Sequence, residues 1–194
     1  MKILIIIPAR AGSIRLKDKN LKKINGVSLI KKTILFAKKI SNVTDILVTS
    51  DSEKINDISK KEKIKFVVKR PKKLSMRNTP SALTVIHAIK WYEKNYTNID
   101  SILLLQPTSP FRSLTTYKKC LKAFIKTKRP VISVHKDQKK TSDGNIYLIS
   151  KSDLIKKKTF LEDISVKIKS LTLKESIDID TMKDLKIARK FSKV

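Results

Sequence analysis

Three short constellations hold the residue types that chemistry needs. The first is Arg10, Gly12, Ser13, Arg15, Lys17, Lys19 and Asn20, which follow an uncharged run from Ile3 to Ile7 that breaks at Pro8. Such a run reads as a buried strand of a parallel sheet. A loop of cations, small residues and a hydroxyl at the carboxyl end of that strand suits the gripping of a polyphosphate. Within it, Ala11 and Gly12 would let the backbone come close to a ligand, glycine most of all because it has no Cβ. The competing expectation is a solvated basic loop, which the position directly after a buried strand weakens.

The second constellation is Leu105-Gln-Pro-Thr-Ser-Pro-Phe-Arg112, again at the end of an apolar run. Gln106 offers a donor and an acceptor, so it can read a base edge or a sugar hydroxyl, and Pro107 and Pro110 stiffen the loop that presents it. The plainer alternative is a loop capping a helix that begins near Ser113. The third is Ser176-Ile-Asp-Ile-Asp-Thr181. If this segment is extended, Asp178 and Asp180 face one side, and the two carboxylates repel unless a cation or protons intervene. Mg2+ bridging them to phosphate oxygens resolves the repulsion. The alternative is a solvated pair, one of them capping the helix that follows. Joined to a basic phosphate loop, the pair reads as a metal site for nucleotidyl transfer.

No other arrangement competes. The opening loop is neither a Gly-x-x-x-x-Gly-Lys-Ser/Thr loop nor a Gly-x-Gly-x-x-Gly fingerprint. His87 lies in a helical pattern among apolar residues and His135 has no evident partner, so no Ser-His-Asp set arises. Trp91 and Tyr92 read as packing. With only three glycines in the chain, Gly26 and Gly144 read as turn glycines.

Strands are predicted at Lys2–Ile7, Asp45–Thr49, Lys65–Val68, Ser101–Leu105, Pro130–Val134 and Asn145–Ile149. Helices are predicted at Ser28–Ile40, Ser52–Lys61, Ser81–Tyr96, Leu114–Thr127 and Met182–Phe191, with residues Leu154 to Lys174 left unassigned. The alternation predicts an α/β fold, a doubly wound and mostly parallel sheet with right-handed crossovers, in one domain over residues 1–194.

The chain carries 45 basic and 17 acidic residues, a formal charge of +28. Only seven of the cations are arginine and the lysines are spread throughout, without interleaved aromatics. That pattern speaks against nucleic acid as the partner. No stretch is apolar enough to span a membrane or serve as a signal peptide. One cysteine, Cys120, permits no internal disulfide and fits a reducing cytoplasm.

Taken together and in this order, the motifs resemble the acylneuraminate cytidylyltransferases, the CMP-sialic acid synthetases. The family pattern Pro-Ala-Arg-x-x-Ser-x-Arg-x-x-x-Lys-Asn is met at Pro8, Ala9, Arg10, Ser13, Arg15, Lys19 and Asn20. Val48-Thr-Ser-Asp51 and Arg70-Pro-x-x-Leu74 match lesser landmarks. Leu105-Gln-Pro-Thr-Ser-Pro110 with Arg112 marks the sialic-acid branch, and Ser176-Ile-Asp-Ile-Asp-Thr181 with Asp184 and Leu185 completes the match. The resemblance implies a nucleotide-diphospho-sugar transferase (Rossmann-like) fold. It also implies attack of the anomeric hydroxyl of a 2-keto sugar acid on the α-phosphate of CTP, releasing pyrophosphate. By position it assigns Arg10, Ser13, Lys19 and Asn20 to the triphosphate, with Arg15 nearby, Arg70 and Ser81 to the cytidine, and Gln106 to the sugar. Lys19, Asp178 and Asp180 become the catalytic set, the two aspartates holding Mg2+.

Three departures stand out. Arg77 replaces the usual Asp after Arg-Pro-x-x-Leu. Asp143-Gly-Asn-Ile-Tyr147 stands for Asn-Gly-Ala-Ile-Tyr. Ile132-Ser-Val134 runs almost directly into Asp143-Gly144, where the family inserts a few dozen residues carrying sugar contacts and the dimerisation element. The sugar pocket is therefore expected to be trimmed, and a homodimer, if formed, would lack its usual element. A different acceptor or nucleotide, or a lapsed nucleotide-binding accessory protein, are the remaining readings.

Overall fold

In the computed structural model, which describes residues 1–76, 78–137, 142–160 and 162–192, a seven-stranded sheet forms the centre. Arg77 and residues 138–141, part of the connection where the family insert is missing, lie outside the described residues. The strands are β1 (Ile3–Pro8), β4 (Asp45–Ser50), β5 (Phe66–Lys69), β6 (Ser101–Leu104), β7 (Val131–Val134), β8 (Ser142–Ser150) and β9 (Val166–Lys169), with β2 (Lys23–Ile24) and β3 (Val27–Ser28) forming a separate hairpin. Their spatial order is β5-β4-β1-β6-β8-β7-β9. Every pairing is parallel except those of β8, which runs antiparallel to both β6 and β7.

β1 is fully buried from Ile3 to Ile7 because both sheet faces are covered, which explains its charge-free sequence. Ile3, Ile5 and Ile7 meet α1 (Leu29–Ala37), α2 (Glu53–Lys61) and α4 (Leu114–Thr127) on one face. Leu4 and Ile6 meet α3 (Ser81–Asn95) and α5 (Lys151–Lys157) on the other. α6 (Met182–Phe191) closes a third cluster with Leu16, Ile24 and Leu29.

The predicted turn at Asn25-Gly26 is a two-residue hairpin loop with positive φ at both positions, the geometry that matches strand twist. The five predicted helices form, α1 starting one residue later because Ser28 is its N-cap. The unassigned stretch from 154 to 174 contains most of α5 and all of β9. β9 carries Lys167 and Lys169 on its exposed side, so it lacks the apolar run that marks a buried strand.

Candidate functional site

Parallel strands deliver their carboxyl ends to one edge of the sheet, where open α/β sheets hold their ligands, and the loops after β1 and β6 lie side by side there. A cleft of about 360 Å³ opens there. It gathers Arg10, Ser13, Lys19 and Asn20 from the opening loop, Arg70 after β5, Ser81 at the start of α3, Gln106 after β6, and Asp178 and Asp180 before α6. Residues separated by some 170 positions thus meet in one place. Arg15 lines an adjoining recess that shares Arg10, Ser13, Lys19 and Asp180 with the cleft.

The loop is held open by its own polar groups. Asn20 is buried and donates from Nδ2 to the Arg10 carbonyl at 2.9 Å, while the Ala11 N–H donates to Asp51 at 2.9 Å. The backbone N–H of Ala11 is therefore taken by Asp51. Gly12 stands exposed, with open space where a Cβ would be. Neither is among the residues that line the cleft. Asp51, at the end of the Thr-Ser-Asp landmark, anchors the loop instead.

Lys19 Nζ and Arg15 Nη2 each lie 2.6 Å from a carboxylate oxygen of Asp180. Asp178 hangs in the cleft between Thr108 and Ser109, with Ser109 Oγ 3.4 Å from its Oδ1. It is open to the cleft yet crowded by protein, and this desolvation raises its carboxyl above the ordinary range. Thr108 opposes the rise and the negative charge of Asp180 adds to it. Ile179 between the two aspartates is fully buried, so the segment is extended with both acids on the cleft side, as predicted. Neither acid caps the following helix: Thr181 does so, in a capping box with Asp184.

Arg70 is buried in the wall, donating to the Thr49 carbonyl at 2.8 Å, with its Nε lacking a protein partner among the described residues. Desolvation lowers its pKa to about 10, offset in part by Asp51. It remains a cation there, with a free donor. Gln106 reaches the cleft from a loop that Arg112 clamps from behind. Arg112 donates to the Gln106, Ser109 (2.5 Å) and Asn145 (2.8 Å) carbonyls.

Gly144 is the residue whose role the sequence misread. It is not a plain turn glycine: it lies inside β8 with φ of 72°. A Cβ there would sit 2.6 Å from Ser109 Oγ, 3.4 Å from Gln106 Oε1 and 3.6 Å from Asp178 Oδ1. Its bare backbone lets those three side chains converge. The scarcity of glycine in the chain was the available signal. Among the described residues no three His, Cys, Asp or Glu side chains cluster as a metal-ligand set. Any ion at this edge would therefore rest on the paired aspartates and on ligand oxygens, the manner of Mg2+.

The profile of the family described as cytidylyltransferase matches residues 4–184. The chain belongs to the cytidylyltransferase family. A CMP-N,N'-diacetyllegionaminic acid synthase of Legionella pneumophila is 30% identical, over 98% of this cytidylyltransferase and 96% of its own chain. That alignment runs over 222 positions against 194 residues, so the relative has residues without counterpart here. An N-acylneuraminate cytidylyltransferase of Escherichia coli O18:K1:H7 is 34% identical over 71% of this chain, which spans about a third (32%) of that longer protein. In fold, a CMP:2-keto-3-deoxy-manno-octonic acid synthetase solved with CTP superposes with a TM-score of 0.70 at 14% identity, over 98% of both chains. The doubly wound sheet of the nucleotide-diphospho-sugar transferases is thus the fold of this cytidylyltransferase. No helix among its described residues is long and apolar enough to cross a membrane.

Proposed function

We propose that the protein transfers CMP from CTP to the anomeric hydroxyl of a nonulosonic sugar acid, of the sialic or legionaminic kind, and releases pyrophosphate in the cytoplasm. The observation that carries this reading is the meeting of Lys19 with the Asp178–Asp180 pair in one cleft, with Arg15 reaching Asp180 from the adjoining recess. The near full-length likeness to a CMP-legionaminic acid synthase supports the choice of acceptor class.

Arg10, Ser13, Lys19 and Asn20 would hold the triphosphate, with Arg15 beside it. Arg70 and Ser81 would seat the cytidine, and Gln106 the sugar. Displacement at the α-phosphorus forms a bond from the sugar oxygen and breaks the bond to the β-phosphate oxygen, with the hydroxyl proton leaving. Such a reaction needs positioning and charge neutralisation more than covalent help. The carboxylates of Asp178 and Asp180 fit a hard divalent ion. Mg2+ held there would neutralise charge on the phosphate oxygens when bound. One of the two aspartates would also help to take the proton from the attacking hydroxyl.

The shortened chain favours one second reading, cytidylyl transfer to a different acceptor. Incubation with CTP, Mg2+ and a panel of nonulosonic acids should release pyrophosphate, while Lys19→Ala and Asp178→Asn should abolish release without lowering Tm. Silence across the panel from a folded, CTP-binding protein would sink the acceptor assignment and leave the second reading.

A further inference from the structure

β7 and β8 are out of step beside the cleft. Ile132 pairs with Tyr147 and Val134 with Ser142, so β8 spends residues 143–146 where β7 spends only Ser133. Bulges of this kind re-aim side chains near active sites. Here the bulge thrusts Gly144 under Ser109, Gln106 and Asp178. Its polar groups are met inside the protein. Ser133 Oγ donates to Asp143 Oδ1 at 2.5 Å and accepts from the Ile146 N–H at 2.9 Å. The Asn145 N–H also donates to Asp143 Oδ1, at 3.1 Å, and Ser170 Oγ donates to Oδ2. Asp143 is only 2% exposed and points away from the cleft, so its carboxylate contacts no substrate. Its carbonyl, however, accepts from Ser109 Oγ at 3.0 Å, and the same hydroxyl reaches Asp178.

We propose that Asp143, held by Ser133 and Ser170, is a positioning residue that fixes the β8 bulge and thereby places Ser109 and Asp178 for metal-assisted transfer. A carboxylate suits this position because three donors converge on it. The nucleotide wall built by Arg10, Lys19 and Arg70 makes none of these contacts. A fault in the bulge therefore reaches the metal and acceptor end of the cleft and leaves the nucleotide end alone. The inference rests on the cytidylyl-transfer reading for its catalytic consequence, but the placement of Asp178 can be read without turnover.

The test is the double variant Ser133→Ala/Ser170→Ala, which keeps the Asp143 carboxylate and changes little volume. Asp143→Ala serves as the harsher companion. The expected result is a folded double variant with metal-free CTP affinity, by calorimetry in chelator, within twofold of the parent, and kcat down at least tenfold. The Mn2+ affinity of the CTP-bound protein, followed by electron paramagnetic resonance, should weaken at least fivefold. Single Ser133→Ala should fall between parent and double variant in both readouts. Unchanged Mn2+ affinity, or metal-free CTP affinity falling in step with kcat as general loosening would produce, overturns the proposal. A parent protein that binds CTP and Mn2+ but turns over no sugar acid counts against the proposed function alone, because the Mn2+ comparison still stands.

Discussion

Replacing Asp180 by Asn should strengthen metal-free CTP binding while ending turnover. Asp180 pairs with both Lys19 and Arg15, the cations proposed to meet the triphosphate. Its side chain is 35% exposed and that of Lys19 16%, so this ion pair is partly shielded and worth about 1 kcal/mol. Arg15 is 68% exposed, and its pair adds only a few tenths of a kcal/mol by the same measure. The triphosphate must break both pairs and then face the freed carboxylate. Asn removes the competition, a gain of about 1.4 kcal/mol, or roughly tenfold in Kd. When Mg2+ is present the sign reverses, because Asn has lost the charged ligand. Calorimetric titration of CTP in chelator and then in Mg2+ reads both effects. The parent should gain strongly from Mg2+, and the variant should start tighter and gain little. A metal-free Kd for Asp180→Asn equal to or weaker than that of the parent would refute the reasoning, since it would mean that Asp180 does not restrain the phosphate cations.

Gly144→Ala should cost about 1–2 kcal/mol for its left-handed conformation alone. The collision with Ser109 adds to that loss in urea denaturation, and Ser109→Ala in the same chain should recover part of it. Arg112→Lys cannot span the three carbonyls that the guanidinium holds, so a stability loss on the order of 3 kcal/mol is expected, read as a fall in Tm. His87, whose Nδ1 is buried without a protein partner among the described residues, has its pKa lowered by desolvation and by the charges of Arg70 and Lys73. The unfolded chain therefore binds its proton more readily. The stability tied to neutral His87 is present above about pH 6.5 and is lost as pH falls from there toward the folded value. His87→Leu should flatten the drop in Tm between pH 7.5 and 5.5, and an unchanged slope would exclude this residue as its source.

By itself the sequence determined six strands of the sheet, five of the helices and the chemistry of the loops. Charge-free runs such as Ile3–Ile7 can only be buried on both sides, and the opening loop, Gln106 and the aspartate pair announce themselves by residue type. The capping Ser28, Ser113 and Thr181 sit beside helices that periodicity already marks. β9 and α5 were not legible, because a four-residue edge strand with two lysines and a seven-residue helix leave little periodic signal. Tertiary structure alone decided what depends on distant segments meeting. It gave Asp180 to Lys19 and Arg15, and the Ala11 N–H to Asp51. It set Arg112 behind the Gln106 loop and put Gly144 under Asp178. Local spacing fixes which groups a chain offers. Only the packing of β8 between β6 and β7, with its bulge beside Ser133, fixes which of them touch.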